Sequence, residues 1–219
     1  NLLFKDLSCF GSCCLQKSPS SIDKIAEILV PTLEKLHREA NQKVHLLGIS
    51  MGGMVALALV RRFPGYCQSL MMINSSVKPV SRFYERLQPN AYPALLRAWF
   101  HPVALESERA ILNISSERHK NNEDVLGHWL VLRAQQPPSR IAAFKQIFAA
   151  SQFEAPSIPP LQKVLLIASK KDRIAHYACT LKLAAVWSVE CVIEDKAGHD
   201  IALDSPQWLA NTIAEFLVK

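Results

Sequence analysis

The chain has 219 residues, 49% of them hydrophobic and 20% charged, with 13 prolines against 7 glycines. That balance suits a single globular domain and excludes a disordered or low-complexity chain. Its 25 basic and 19 acidic residues give +6, but the basic ones cluster no further than the pairs Arg61-Arg62 and Lys170-Lys171, so no nucleic-acid partner is expected.

The chain opens on Asn1 and runs straight into Leu2-Leu3-Phe4, without the charged and apolar regions of a signal peptide. A start inside a strand-like run, Leu2–Lys5, reads as a fragment or a processed chain. A helix follows from about Ile22 to Ala40, with Ile22, Ile25, Ala26, Leu29, Leu33 and Leu36 on one face and Ser20 or Ser21 as its cap. Pro31 falls inside it and predicts a kink. Short apolar runs then recur at Val44–Gly48, Leu70–Asn74, Val164–Ala168 and Val189–Ile193. Unbroken by polar alternation, they read as strands buried on both faces of a parallel sheet. Helices are expected from Ser50 to Arg62, stopped by Phe63-Pro64-Gly65, and from Ser205 to Leu217, with Pro206 in the first turn. Strand and helix alternate, so the class is α/β. Between about Val80 and Pro160 only helical spacing appears, about four helices inserted between two strands as a cap. The longest apolar run, Met54–Val60, is seven residues where about 20 would span a bilayer, so no membrane insertion is expected.

Six cysteines occur, Cys9, Cys13, Cys14, Cys67, Cys179 and Cys191. A chain of this length needs no disulfide staples, and four of the six sit in or beside apolar runs, which points to a reducing, cytoplasmic setting. Cys9, Cys13 and Cys14 lack a nearby histidine and a ligand spacing, so no metal is expected there.

The most informative stretch is Gly48-Ile49-Ser50-Met51-Gly52-Gly53, which holds three of the seven glycines. By residue frequencies a chance G-x-S-x-G is expected only about 0.1 times in such a chain. A serine on a sharp strand-to-helix turn needs small neighbours at positions −2 and +2, and the helix start aims backbone N–H groups at a developing anion. Serine needs a base. Of seven histidines, His45 lies in a strand; His37, His101, His119 and His128 lie on helical or cap segments; His176 begins a helix. His199, in Ala197-Gly198-His199-Asp200, follows a strand and precedes the last helix, where open α/β sheets carry catalytic groups. The acid is Asp172, at the carboxyl end of the strand Val164–Ala168, preferred over Asp195 on the chain order of serine, acid and histidine. Asp200 and Asp204 are assigned to the turn and the final helix N-terminus.

These motifs, in this order, resemble the α/β-hydrolase superfamily. Asp6-Leu7-Ser8-Cys9-Phe10-Gly11-Ser12-Cys13 is similar to that fold's D-x-x-G-x-G-x-S loop, with Cys9 for a glycine and Cys13 for a serine. The cap and the Gly-His-Asp ending look closest to carboxylesterases of the pimeloyl-carrier-protein methyl esterase type. The resemblance implies a mostly parallel sheet flanked by helices, with core parts over residues 1–79 and 161–219 and a helical cap over 80–160. It implies that the first strands, and the loop that supplies one oxyanion donor, precede Asn1, so that the sequence is an N-terminally truncated hydrolase. The other donor is the Met51 N–H. The expected activity is hydrolysis of a carboxylic ester through an acyl-enzyme on Ser50, with His199 as base, Asp172 as orienting acid and no cofactor. Acyl transfer, thioester cleavage, carbon–carbon bond hydrolysis and non-catalytic ligand binding remain open. Trp99, Phe100, Trp129, Phe144 and Phe148 of the cap are candidates to line an acyl pocket, or else form the cap's own core. The oligomeric state leaves no signature in the sequence.

Overall fold

The computed structural model describes residues 19–137 and 139–218. The Leu2–Lys5 run, the Asp6–Cys13 motif and Cys14 lie outside them. In chain order the described elements are α1 (Ile22–Ala40), β1 (Val44–Ile49), α2 (Met51–Arg62), β2 (Cys67–Ile73), α3 (Phe83–Arg86), α4 (Tyr92–Phe100), α5 (Ala104–Ser115), α6 (Glu123–Gln135), α7 (Arg140–Gln152), β3 (Val164–Ser169), α8 (Ala178–Trp187), β4 (Glu190–Glu194), α9 (Ile201–Asp204) and α10 (Pro206–Val218). The four strands form one parallel sheet in the order β1-β2-β3-β4.

Alternation along the central strands sorts the core into two layers. Leu70 and Met72 of β2 and Val164 and Leu166 of β3 pack with α1, α2 and α8 through Ile25, Leu33, Leu57 and Leu183. Their neighbours Met71, Ile73, Leu165 and Ile167 pack on the other face with Ile201 and with Leu209 and Phe216 of α10. Both faces of β2 and β3 are thus covered, which is why these strands read as continuous apolar runs. At about 1.5–3 kcal/mol for each fully buried aliphatic side chain, this central pair anchors the fold.

The outer strands differ from that expectation. On β1, Val44 and Leu46 pack toward the helices, but His45 and Leu47 are exposed. Leu47 pairs in register with Met71 yet lies outside the cluster that buries Met71. β4 is only half-buried over most of its length. β2 begins at Cys67, earlier than the apolar run, where Cys67 pairs with Val44, and within it Ser69 is buried beneath the exposed His45 and hydrogen-bonds its ring. Helix α1 runs unbroken through Pro31, and Ser21 sits at its N-cap without a side-chain capping bond.

The segment between β2 and β3 is helical, α3 to α7, and its two ends are tied together. Lys78 N–H donates to the Phe153 carbonyl (3.1 Å), and Ala155 N–H donates to the Lys78 carbonyl (2.7 Å). Among the described residues no helix is long and apolar enough to cross a membrane.

Candidate active site

Ser50 stands between β1 and α2 with φ 54° and ψ −121°, outside the helix it precedes. A side chain with a Cβ pays strain in that left-handed region, and the surroundings must hold it there. Ser50 N–H donates to the Ile73 carbonyl at the end of β2 (2.7 Å). Its own carbonyl accepts from Ser75 Oγ (2.7 Å) and from Gly53 N–H (3.1 Å). The glycines divide the work differently from the expected −2 and +2 pair. A Cβ on Gly48 would run into the Gly52 carbonyl group, and one on Gly53 would run into Ser75 Oγ. A Cβ on Gly52 would meet nothing within 4 Å. The close approaches therefore sit at −2 and +3.

Asp172 follows β3 and is buried. Its Oδ1 accepts from the N–H groups of Ile174 (2.7 Å) and Ala175 (3.0 Å), which fixes the carboxylate. Its Oδ2 lies 2.7 Å from His199 Nδ1. This contact assigns the Nδ1 proton to the Asp172 bond and leaves Nε2 for proton transfer. Burial is the largest influence on the His199 imidazole and disfavours its charged form. The Asp172 charge and hydrogen bond, helped by the Asp200 charge, outweigh it and carry the pKa above the ordinary 6.5. Asp195 stands apart, with a side chain 70% exposed and paired to Lys170 Nζ at 3.1 Å.

The loop carrying His199 is held at many of its backbone groups. Glu194 Oε2 accepts from Lys196 N–H (2.5 Å) and from Ala197 N–H. The Ala197 carbonyl accepts from Lys171 N–H, and Asp200 N–H donates to the Ser115 carbonyl (2.8 Å). Asp200 caps the short helix α9 by accepting from Leu203 N–H, as its place before a helix suggests. Asp204 does something other than the N-terminal role expected of it. It is buried and accepts from Gly198 N–H (2.6 Å), Glu117 N–H (2.8 Å), Ser116 Oγ (2.5 Å) and Arg118 N–H (3.2 Å). Burial opposes its ionisation, but those donors outweigh burial and hold its carboxyl below the ordinary 3.8. Asp204 thereby joins the His199 loop to the turn between α5 and α6.

Two residues absent from the expectations complete the arrangement. Asn74 and Ser75 directly follow β2, Asn74 with φ 48°. Ser75 holds the Ser50 carbonyl, while Asn74 Nδ2 donates to the His199 carbonyl (2.8 Å) and to Ser169 Oγ (3.0 Å). The only trace of them in the sequence is a pair of polar residues closing an apolar run.

The remaining histidines have local roles or lie outside this cluster. His37 stacks on Tyr66, His45 bonds Ser69, His101 bonds Val103, His119 bonds Asn122, and His176 stacks on Tyr177. His128 is exposed on α6. Trp99 and Phe144 meet edge-to-face at 6.4 Å, joining α4 to α7. Phe100, Phe144 and Phe148 are 70%, 61% and 50% exposed, and Trp99 and Trp129 are half-buried. Neither a closed cap core nor an enclosed pocket describes them. Among the described residues no group of three or more histidines, cysteines or carboxylates is placed to hold a metal.

The model of the alpha/beta hydrolase family matches residues 6–212. Among solved structures the chain is similar to a thermophilic esterase from Thermogutta terrifontis, at 20% identity and TM-score 0.72, over 97% of this chain and 77% of that one. It is similar to the 2-hydroxy-6-oxo-6-phenylhexa-2,4-dienoate hydrolase of Rhodococcus sp. strain RHA1, at 19% identity and TM-score 0.72, over 93% and 74%. An enol-lactonase from Burkholderia xenovorans LB400 matches at 17% identity and TM-score 0.72, over 98% and 79%. At these identities the likeness is one of fold. A search of curated proteins found no significant match.

Proposed function

Because the chain belongs to the alpha/beta hydrolase family, we propose that it is a serine hydrolase cleaving a small carboxylic ester, with Ser50, His199 and Asp172 as its triad. The observation that carries this reading is the 2.7 Å bond between His199 Nδ1 and Asp172 Oδ2, at the same end of the sheet as a serine held at positive φ. Ser50 Oγ attacks the ester carbonyl as His199 Nε2 takes its proton. Asp172 keeps the imidazole in the tautomer that can do so and stabilises the imidazolium. Met51 N–H, at the start of α2, faces the developing oxyanion as one donor. The imidazolium then protonates the departing alkoxide. Water, activated by the same nitrogen, releases the acid from Ser50.

The helices between β2 and β3 act as the cap, with Trp99, Phe100, Trp129, Phe144 and Phe148 offering apolar surface to an acyl chain. Cysteine usage favours the cytoplasm as its setting. The same triad also serves carbon–carbon bond hydrolysis, the reaction class of the Rhodococcus neighbour, as the second reading. The test is labelling with a fluorophosphonate and turnover of p-nitrophenyl esters. Labelling and turnover that both vanish in Ser50→Ala support the reading. Equal labelling of the variant, or none of the wild type, overturns it in favour of ligand binding without catalysis.

A further inference from the structure

A hydrogen-bond pattern at the end of β2 points to a fourth functional residue, and the inference rests on the hydrolase reading above. Asn74 is 3% exposed, and its amide has every group engaged. Its Oδ1 accepts from Ser169 N–H (2.7 Å). Its two Nδ2 hydrogens go to Ser169 Oγ (3.0 Å) and to the His199 carbonyl (2.8 Å). The orientation of the amide is not open to exchange, because Ser169 N–H can only donate and so demands the oxygen. Its main-chain N–H donates to the Ile167 carbonyl (2.9 Å). Asn74 is thus fixed to β3 by three bonds, and from that fixed point it holds the backbone of His199.

His199 is consequently held at both ends. The ring is bound to Asp172, which follows β3, and the carbonyl is bound to Asn74, which follows β2. The next residue, Ser75, donates to the Ser50 carbonyl. A single dipeptide therefore references the serine turn, the acid strand and the histidine loop to one another. The residue type fits the task. At φ 48° asparagine is among the few side chains tolerated without much strain. Aspartate would lack the donors for His199 and Ser169, and serine would not reach both.

We infer that Asn74 is a positioning residue, setting the seat of the His199 imidazole between Asp172 and Ser50. It touches no reacting atom. Misplacement of a catalytic group by about 1 Å costs on the order of 10²-fold in rate, so Asn74→Gly, which deletes the side chain and tolerates the positive φ, should slow turnover by about that factor with KM little changed.

The deciding measurement follows His199 itself by NMR in the full chain, through its Nδ1–H signal and the pH titration of its ring. The charged groups bearing on the imidazole are Asp172 and Asp200, and neither is altered in the variant. In Asn74→Gly the titration midpoint should fall and the Nδ1–H signal should broaden, because the ring is no longer seated against Asp172. Ser169→Ala, which keeps the Asn74 bond to His199, should titrate as wild type. A folded Asn74→Gly with an unchanged midpoint and signal overturns the proposal. If Asn74→Gly does not fold, Asn74→Ser, which keeps a hydroxyl near the end of β3, carries the same comparison. Loss of folding in both variants makes Asn74 a structural tie only and overturns it. Fluorophosphonate labelling of wild-type Ser50, run alongside, tests the hydrolase reading separately, since the His199 titration needs no turnover.

Discussion

The loop that carries His199 and the helices inserted between β2 and β3 are built on opposite plans. Over residues 196–200 the loop spends two buried carboxylates, Glu194 and Asp204, and a buried amide, Asn74, on holding backbone groups. The inserted helices leave Leu96, Phe100, Ile141, Phe144 and Phe148 largely exposed and meet one another through side chains, in the ion pairs Arg97–Glu106, Arg109–Glu123 and Arg133–Glu108 and in Trp99 on Phe144. Proton transfer requires a fixed distance, and an array of charge-assisted hydrogen bonds supplies one. Accommodation of an apolar chain requires area rather than fixed geometry, and exposed aromatic side chains supply that. Under the proposed function, the contrast separates the part of the molecule that would set the rate from the part that would set the choice of substrate.

The largest expected effect falls on the held side. Asp172→Asn should lower turnover of a p-nitrophenyl ester by about 10⁴-fold, since the wrong tautomer is then favoured, while Asp195→Asn, at an exposed ion pair, should leave it near wild type. The pH profile sharpens the point. As the base of the proposed mechanism, His199 must be neutral, and its pKa is raised above the ordinary 6.5, so the acidic limb of kcat/KM should turn over above that value. With Asp172 neutralised, burial prevails and the limb should move below it.

Second in size, Asp204→Ala should cost about 3 kcal/mol in urea unfolding, because several donors lose a charged acceptor together. Asp204 is held below 3.8 in the fold. Its contribution is therefore present above pH 3.8 and drains away as pH falls through the lower native value. Asp204→Asn should show a flatter stability profile across that acid range, and an equally steep one would refute the role given to the carboxylate.

Third, Gly48→Ala should destabilise by about 1–3 kcal/mol, as overpacking against backbone does, while Gly52→Ala should stay within about 0.5 kcal/mol. Thermal melts of the two variants check this, and equal losses would return the steric requirement to the +2 position. The smallest effect belongs to the inserted helices. Phe100→Ala or Phe148→Ala should change stability by no more than about 0.5 kcal/mol. Each should raise KM for long-chain esters and leave acetyl esters alone. A large loss of stability would place these side chains in a core after all.

The legible features were those where backbone geometry restricts residue type. Gly48 and Ser50 stand out because a tight strand-to-helix turn tolerates little else, whereas the second steric requirement falls on Gly53 rather than on the expected Gly52. The parallel strands stand out because β2 and β3 are covered on both faces. Position after a strand makes Asp172 and His199 candidates. It does not single out Asn74, since one amide closing an apolar run has no spacing and its partners lie 95 and 125 residues away. Asp204 departs from expectation for a related reason: a carboxylate just before a helix looks like a cap, and only the fold brings Ser116–Arg118 to it. The aromatic residues of α4, α6 and α7 have helical spacing, but spacing names a face without naming what covers it.

The paired bonds between Lys78 and Phe153–Ala155 have a consequence for descent. They close the neck of the inserted segment, so helices above it can lengthen, shorten or be exchanged without shifting the register of β2 against β3. A lineage could thus explore new substrates in that segment while its triad stayed intact. Two seams escape this freedom: Glu85–Gln88, bonded to Asp172, Ile174 and His176, and the turn at Ser115–Arg118, where Asp200 and Asp204 take hold. Any replacement segment must return a chain to both points, at the second with its N–H groups facing Asp204, and variation in such lineages should stop there.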